Sequence, residues 1–255
     1  MRFWGRITGT TADYLIVAGT LSTSELPARK WFYATSKDLT LLQLPLPTPE
    51  VVTQAAAVAS SRFVGNPAAL LGADAEAGEE EEGEAGEEEV DEEGNPKPRK
   101  PRFTEAHRVA ATVALLEVEC GVVPVGAYAV TATRHVTPSP AFAGVPASSA
   151  TSLAAWAHFR PPRNPVRAAT LAKAAAVPGT ADFLDPLSED APAACWAATV
   201  DAGRGVARVA SLRFPGYFAF ATVSAGGGGE GGGAGGKWGS VYVGDGRAEE
   251  IQWML

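Results

Sequence analysis

The sequence predicts an α+β, β-rich fold: an antiparallel sheet of hairpins and a C-terminal meander, with a few short helices packed on it. Three observations carry that prediction. The chain opens on two aromatic and β-branched runs, Phe3–Gly9 and Asp13–Gly19, around a Thr10-Thr11-Ala12 bend, which is the pattern of a β-hairpin. Its last third repeats strand-like runs separated by Gly, Asp and Pro turns. Between the two, helical stretches are short and closed off by Pro or Gly.

The elements follow in order. Tyr14 to Ala18 is continuously apolar, so this strand is expected to be covered on both faces. The chain would then begin inside its own core, which suggests that residues once preceded Met1. Leu21 to Arg29 reads as a loop. Lys30–Thr35, with Trp31, Phe32 and Tyr33 adjacent, is a third strand, and Leu39–Leu44 a fourth, cut off by Pro45 and Pro47. Thr48-Pro49-Glu50 starts a helix, with Thr as N-cap and Pro at the first position. Val52, Ala56, Ala59 and Phe63 would form its buried face, and Gly65-Asn66-Pro67 its end.

Residues 72–101 are acidic and Gly-rich, then Pro- and Lys-rich. Such a stretch cannot bury enough apolar surface to offset its ordering entropy, so a disordered insertion is expected. Arg108–Glu119 is ambiguous. Ala110, Ala111, Ala114, Leu115 and Leu116 suit a helix, whereas Val109, Thr112, Val113 and Val118 suit a strand. The strand-like Gly121–Thr131 that follows a Cys120-Gly121 bend tips the reading to a hairpin. Pro138–Pro146 reads as loop. Leu153, Trp156 and Ala157 read as a short helix stopping near Arg160, and Ala168–Ala176 as another. The meander comprises Cys195–Val200, Val206–Leu212, Tyr217–Val223 and Lys237–Val243, the last preceded by a Gly-rich loop at 225–236. The apolar tail Ile251–Leu255 is expected to dock on the body.

At 255 residues the chain can bury a sizeable core, and we read 1–255 as a single domain carrying the two insertions. The net charge of −8 is unevenly spread: residues 74–93 hold 13 acids and no Lys or Arg, leaving 16 acids against 21 bases elsewhere. The remaining bases are scattered, which argues against nucleic-acid binding. No apolar run approaches a membrane span. Cys120 and Cys195 stand far apart with no CxxC, which points to thiols in a reducing compartment rather than to a disulfide framework or zinc site.

Motifs for chemistry are weak. Gly231 to Gly236-Lys237 matches all but the final position of a P-loop, where Trp238 replaces the Ser or Thr hydroxyl that holds Mg²⁺. With nine Gly among twelve residues, such matches arise from composition. A nucleotide-binding enzyme using this loop is therefore the minor reading. His107, His135 and His158 have no metal-ligand spacing, and Asp182, Asp185, Glu189 and Asp190 lack the pattern of a calcium loop; Asp182 and Asp185 suit turns beside Pro186. No Ser or Cys has the context of a nucleophile. What remains is aromatic residues on strands without chemistry beside them. Phe3, Trp4, Trp31, Trp238 and Trp253 are the candidate interface positions, because Trp and its kind anchor protein contacts. The residues alone indicate a scaffold more than an enzyme.

Phe3-Trp4-Gly5-Arg6-Ile7-Thr8-Gly9 followed by Ala12-Asp13-Tyr14 resembles the opening signature of the radial spoke head proteins of motile cilia and flagella. Further blocks agree in order: Arg62–Pro67, His107-Arg108, Val123-Pro124 with Gly126-Ala127, Trp156–Pro161, Leu184–Leu187, Phe214-Pro215-Gly216 and Trp238–Gly246. Compact length and the closing Met254-Leu255 are most similar to the protein 9 type; the protein 4 and 6 types are longer. Members usually carry a helical segment before the opening motif, and the acidic and Gly-rich stretches lie outside the shared pattern. The resemblance implies a non-enzymatic subunit of the spoke head, located in the axoneme, with no catalytic, cofactor or metal residues. It implies assembly with protein 4/6 type and MORN-repeat subunits, transient contact with the central-pair apparatus, and relay of mechanical signals to the dynein arms. Neither nucleic acid nor membrane is an implied partner.

Overall fold

The computed structural model describes residues 1–21, 28–73, 102–131, 135–173, 183–192, 195–224 and 235–250, with Leu26, Ala75 and Thr133. Most of the acidic stretch, positions 225–234 of the Gly-rich stretch and the tail 251–255 lie outside the described residues. The expectations of disorder, of a flexible loop and of a docked tail fall there.

One mixed, mostly antiparallel nine-stranded sheet organises the protein. Its N-terminal part contains β1 (Arg2–Ile7), β2 (Tyr14–Leu21), β3 (Ala28–Thr35) and the two-residue edge β4 (Leu42–Gln43). Helix α1 (Pro49–Ala57) follows, then α2 (Glu105–Cys120), and short strands β5 (Val122–Pro124), β6 (Tyr128–Val130), β7 (Val136–Pro138), β8 (Val145–Pro146) and β9 (Trp156–His158). After α3 (Pro165–Lys173) comes the meander: β10 (Trp196–Asp201), β11 (Val206–Ser211), β12 (Tyr217–Ser224) and β13 (Trp238–Gly244). The order across the sheet is β10-β11-β12-β13-β1-β2-β3-β4. The predicted hairpin and meander are present, and a parallel pairing of β1 with β13, Gly5 opposite Tyr242, fuses them. The opening strand thus sits in the middle of the sheet.

Strand β2 departs from its expectation. Tyr14, Ile16 and Ala18 are buried, whereas Leu15 and Val17 are only half-buried. The sheet is covered on one side, so even an unbroken apolar run alternates in burial. In β1 a bulge between Phe3 and Gly5 turns Trp4 inward, where it is 5 % exposed, and leaves Phe3 outward. Gly5 must be small, since a Cβ there would stand 2.4 Å from the Tyr242 carbonyl oxygen.

The clearest correction concerns Arg108–Glu119, which is a helix and not a strand. Val109, Val113, Leu116 and Cys120 recur at helical spacing and are buried, and Leu115 and Val118 face outward. Its start is fixed by Thr104, whose backbone N–H and hydroxyl both meet His107 Nδ1, at 3.3 and 2.9 Å. His107 occupies the place that Glu or Gln takes in a capping box, so the usual signature is absent from the sequence. The expected hairpin partner splits into β5 and β6, which pair with β9 and β7.

Two further corrections have similar causes. The expected helix through Leu153 and Trp156 is one 3₁₀ turn, Leu153–Ala155, running into β9, because the pairing of Val122 with His158 holds the backbone extended. Helix α1 has no buried residue, and it ends before Phe63. Phe63 instead bridges to Gly9 and is 1 % exposed in the core. Part of the expected loop 138–146 is β8, which adds parallel to β12.

At the start of α2, Glu105 joins three distant segments. It is fully buried, accepts a hydrogen bond from the Tyr14 hydroxyl at 2.6 Å, and accepts from the backbone N–H groups of Val64, Gly65 and Asn66 at 2.8, 2.6 and 3.2 Å. One turn on, Arg108 donates to Ser61 Oγ and to the Ser61 carbonyl, and stacks 4.0 Å over Phe63. Gly65 adopts φ +93° and lies so close to Ala12 that a Cβ would come within 2.1 Å of its carbonyl oxygen. Sequence blocks separated by dozens of residues therefore meet at one buried carboxylate.

Candidate functional site

The acidic residues after Phe183 and the Arg-rich turn after β9 build a polar cleft with a volume of about 390 Å³. Asp185 accepts from the Arg160 guanidinium at 3.0 Å and from the backbone N–H of Arg163 at 2.6 Å. Arg167 grips Glu189 with two 2.6 Å hydrogen bonds, and Glu119 at the end of α2 receives Arg163 at 3.0 Å and Arg213 at 3.5 Å. Asp190 accepts from His158 Nε2 at 2.9 Å and from the Trp196 indole N–H at 2.7 Å. Because a carboxylate only accepts, His158 carries its proton on Nε2.

Burial opposes ionisation of Asp185 and of Asp190. The backbone N–H of Arg163 and the Arg160 guanidinium outweigh it for Asp185, and the hydrogen bonds from His158 and Trp196 outweigh it for Asp190, so both carboxyls lie below the usual range. The sequence suggested a turn role for Asp185 and none for Asp190. They are the anchors that hold the Arg160–Asn164 turn and the 3₁₀ turn Leu187–Glu189 against the meander. The signal that could have indicated this is the pairing of Arg160, Arg163 and Arg167 with Asp185, Glu189 and Asp190. Asp182 lies outside the described residues.

Both cysteines are free, buried and on the wall of this cleft. Burial pushes the Cys120 thiol up to about 12 and the Cys195 thiol up to about 11. An activated nucleophile needs the opposite shift. His158 Nδ1, the nitrogen that would have to receive a proton, has no hydrogen-bond partner. The cleft therefore brings a thiol, an imidazole and a carboxylate together without linking them into a nucleophile–base pair. No group of His, Cys, Asp or Glu among the described residues could hold a metal ion. At the Gly-rich loop, Gly236 donates its N–H to Phe142 O at 2.6 Å, and Lys237 runs into β13 where a P-loop requires a helix.

The interface candidates separate into inward and outward groups. Trp4 is buried, with Trp31 edge-on at 5.3 Å and Tyr242 tilted at 5.9 Å. Trp31 is half-buried on the same inner side. Trp238 is half-buried between Tyr128 at 5.8 Å and Phe142 at 5.2 Å. Phe3 alone points outward, 51 % exposed. Trp253 lies outside the described residues. Sequence reasoning ranked positions by ring type and passed over the valines and phenylalanines that share the outward face with Phe3.

No protein-family model matches the chain. Similar curated proteins have one name in common. The "Radial spoke head protein 9 homolog" of Danio rerio is 31 % identical across 86 % of this chain and 74 % of its own length. The protein of that name from Homo sapiens is 30 % identical, covering 99 % of this chain and 84 % of the relative. That of Xenopus tropicalis is 30 % identical, covering 83 % and 72 %.

Proposed function

The chain belongs to the radial spoke head protein 9 family, and on that premise we propose that it is a non-enzymatic structural subunit of the spoke head in the axoneme of motile cilia and flagella. The observation that carries this reading is a likeness to spoke-head proteins that runs along most of the chain. The structure is compatible with it in two respects. Its polar cleft is lined by ion pairs and raised-pKa thiols, and its described Trp and Tyr rings serve packing. A continuous nine-stranded sheet is suited to pass force between neighbours. Its neighbours in this reading are the other spoke-head subunits, of protein 4/6 type and MORN-repeat type, with transient contact to the central pair. The chain acts as one domain of this type, with the acidic and Gly-rich stretches inserted between its blocks.

The test is genetic and biochemical. Deleting the gene should leave cilia that are present but paralysed or irregular, and axonemes whose spoke heads lack other subunits on mass analysis. Normal motility with a complete spoke head in the null strain would overturn the proposal. Removing residues 226–236 tests the nucleotide reading: the variant should still assemble, whereas an enzyme built on that loop would lose ligand binding.

A further inference from the structure

The outward face of the main sheet is apolar where a solvated face would alternate polar side chains. Phe3, Val17 and Phe32 stand in one cross-strand row on β1, β2 and β3. Val241 and Phe218 continue the face on β13 and β12. Phe3 is 51 %, Val243 40 % and Phe220 37 % exposed, and the others are half-buried. None of them belongs to either hydrophobic core, and α2 packs on the opposite side with Ile7, Tyr14 and Tyr242. Charge on the outward side of β11 to β3 has one sign. From β11 to β3 the outward positions include Arg208, Arg6 and Lys30 and no carboxylate. Arg208 lies 4.4 Å over the Phe218 ring, and Arg6 reaches Asp13 in the β1–β2 turn at 3.3 Å.

We propose that this face is the docking surface for another protein whose contact patch is apolar at its centre and carries carboxylates at its rim. The inference rests on the subunit reading above and adds the side of the molecule that makes the contact. Six strands about 4.8 Å apart, each about 20 Å long, give a flat footprint on the order of 500 Å² before side-chain relief is counted. That is the size of the largest patch on an ordinary monomer, roughly 300–600 Å² and often functional, and it approaches the roughly 800 Å² that each partner gives to a specific interface. A second copy is disfavoured, because a two-fold contact through this face would set Arg6, Lys30 and Arg208 against the same cations. An acidic rim turns those cations into attraction.

The experiment introduces full-length variants into a null strain and measures their recovery in isolated spoke heads. Val17→Glu with Val241→Glu buries charge in the contact and should lower recovery at least about tenfold. Lys30→Glu with Arg208→Glu touches only exposed cations and should lower it about threefold or more, with wild-type retention falling as salt rises. Thermal melting of the purified variants separates loss of docking from loss of folding, and the Lys30/Arg208 variant keeps the question open to an answer if the first fails to fold. Normal recovery of both variants overturns the docking face while leaving the subunit reading intact. Absence of wild-type protein from spoke heads overturns the subunit reading itself. A dimer of the purified chain that dissociates in the Val17/Val241 variant would make the face a self-contact. Co-sedimentation with phosphatidylserine vesicles, lost in the same variants, would make it a membrane surface. Either result overturns the proposal.

Discussion

The two faces of the sheet are made of similar residues and have opposite fates. Ile16 and Val17 are neighbours on β2, both apolar and β-branched. Ile16 is fully buried beneath α2, whereas Val17 stands between Phe3 and Phe32 with nothing described above it. On the inner side Glu105 is held by specific partners from three segments. On the outer side the described polar links are few, among them Arg6 to Asp13 and the Lys237 N–H to Thr222 Oγ1. The difference teaches that apolar content does not by itself mark the core of a sheet protein. Closure comes from what is packed on a face.

Breaking the inner side at Glu105 should have the largest effect. Glu105→Ala strands the Tyr14 hydroxyl and the N–H groups of Val64, Gly65 and Asn66. At about 1–3 kcal/mol for each buried donor left unpaired, partly relieved by water, a loss on the order of 3–5 kcal/mol is expected. Glu105→Gln keeps acceptor capacity and should lose less. Urea midpoints of the purified chain measure both, and equal losses would mean that shape rather than hydrogen bonding dominates the junction.

The neighbouring pair on β2 tests the contrast directly. Ile16→Ala should cost about 2–5 kcal/mol through lost burial and the cavity left behind. Val17→Ser should cost under about 1 kcal/mol in the isolated chain, where that face is open. Similar losses at the two positions would show that the outer face is also packed in solution.

The smallest effect is that of acid. The folded-state carboxyls of Asp185 and Asp190 lie below their unfolded values. The stability they contribute is therefore present above the ordinary carboxylate range and is lost as pH falls through the folded values. Unfolding free energy should stay level from neutral pH to about pH 5 and decline below about pH 4. Asp190→Asn should flatten that decline. An unchanged acid limb would show that the His158–Asp190–Trp196 contact adds nothing to the fold.

Short-range patterns were legible in the sequence. Alternation and turn residues located the opening hairpin, the third strand and all four strands of the meander, and Thr48-Pro49-Glu50 marked the start of α1. The order of its blocks pointed to the spoke-head family. Arg108–Glu119 was misread because residue types were weighed over spacing; the 4, 3, 4 recurrence from Val109 to Cys120 was already there. The polar cleft was visible only as an acidic cluster, since its basic half comes from the turn after β9.

What the sequence by itself determined is local: which stretches most strongly extend and where they turn. What only the tertiary structure decided is non-local. The parallel pairing of β1 with β13 joins residues at opposite ends of the chain, and no local pattern encodes a hydrogen-bond partner that far away. The Glu105 junction likewise exists only once α2 lies against β2 and the Arg62–Pro67 segment. Which face of an apolar strand becomes core was settled the same way. Side-chain alternation creates two faces, and only the placement of α2 chose between them.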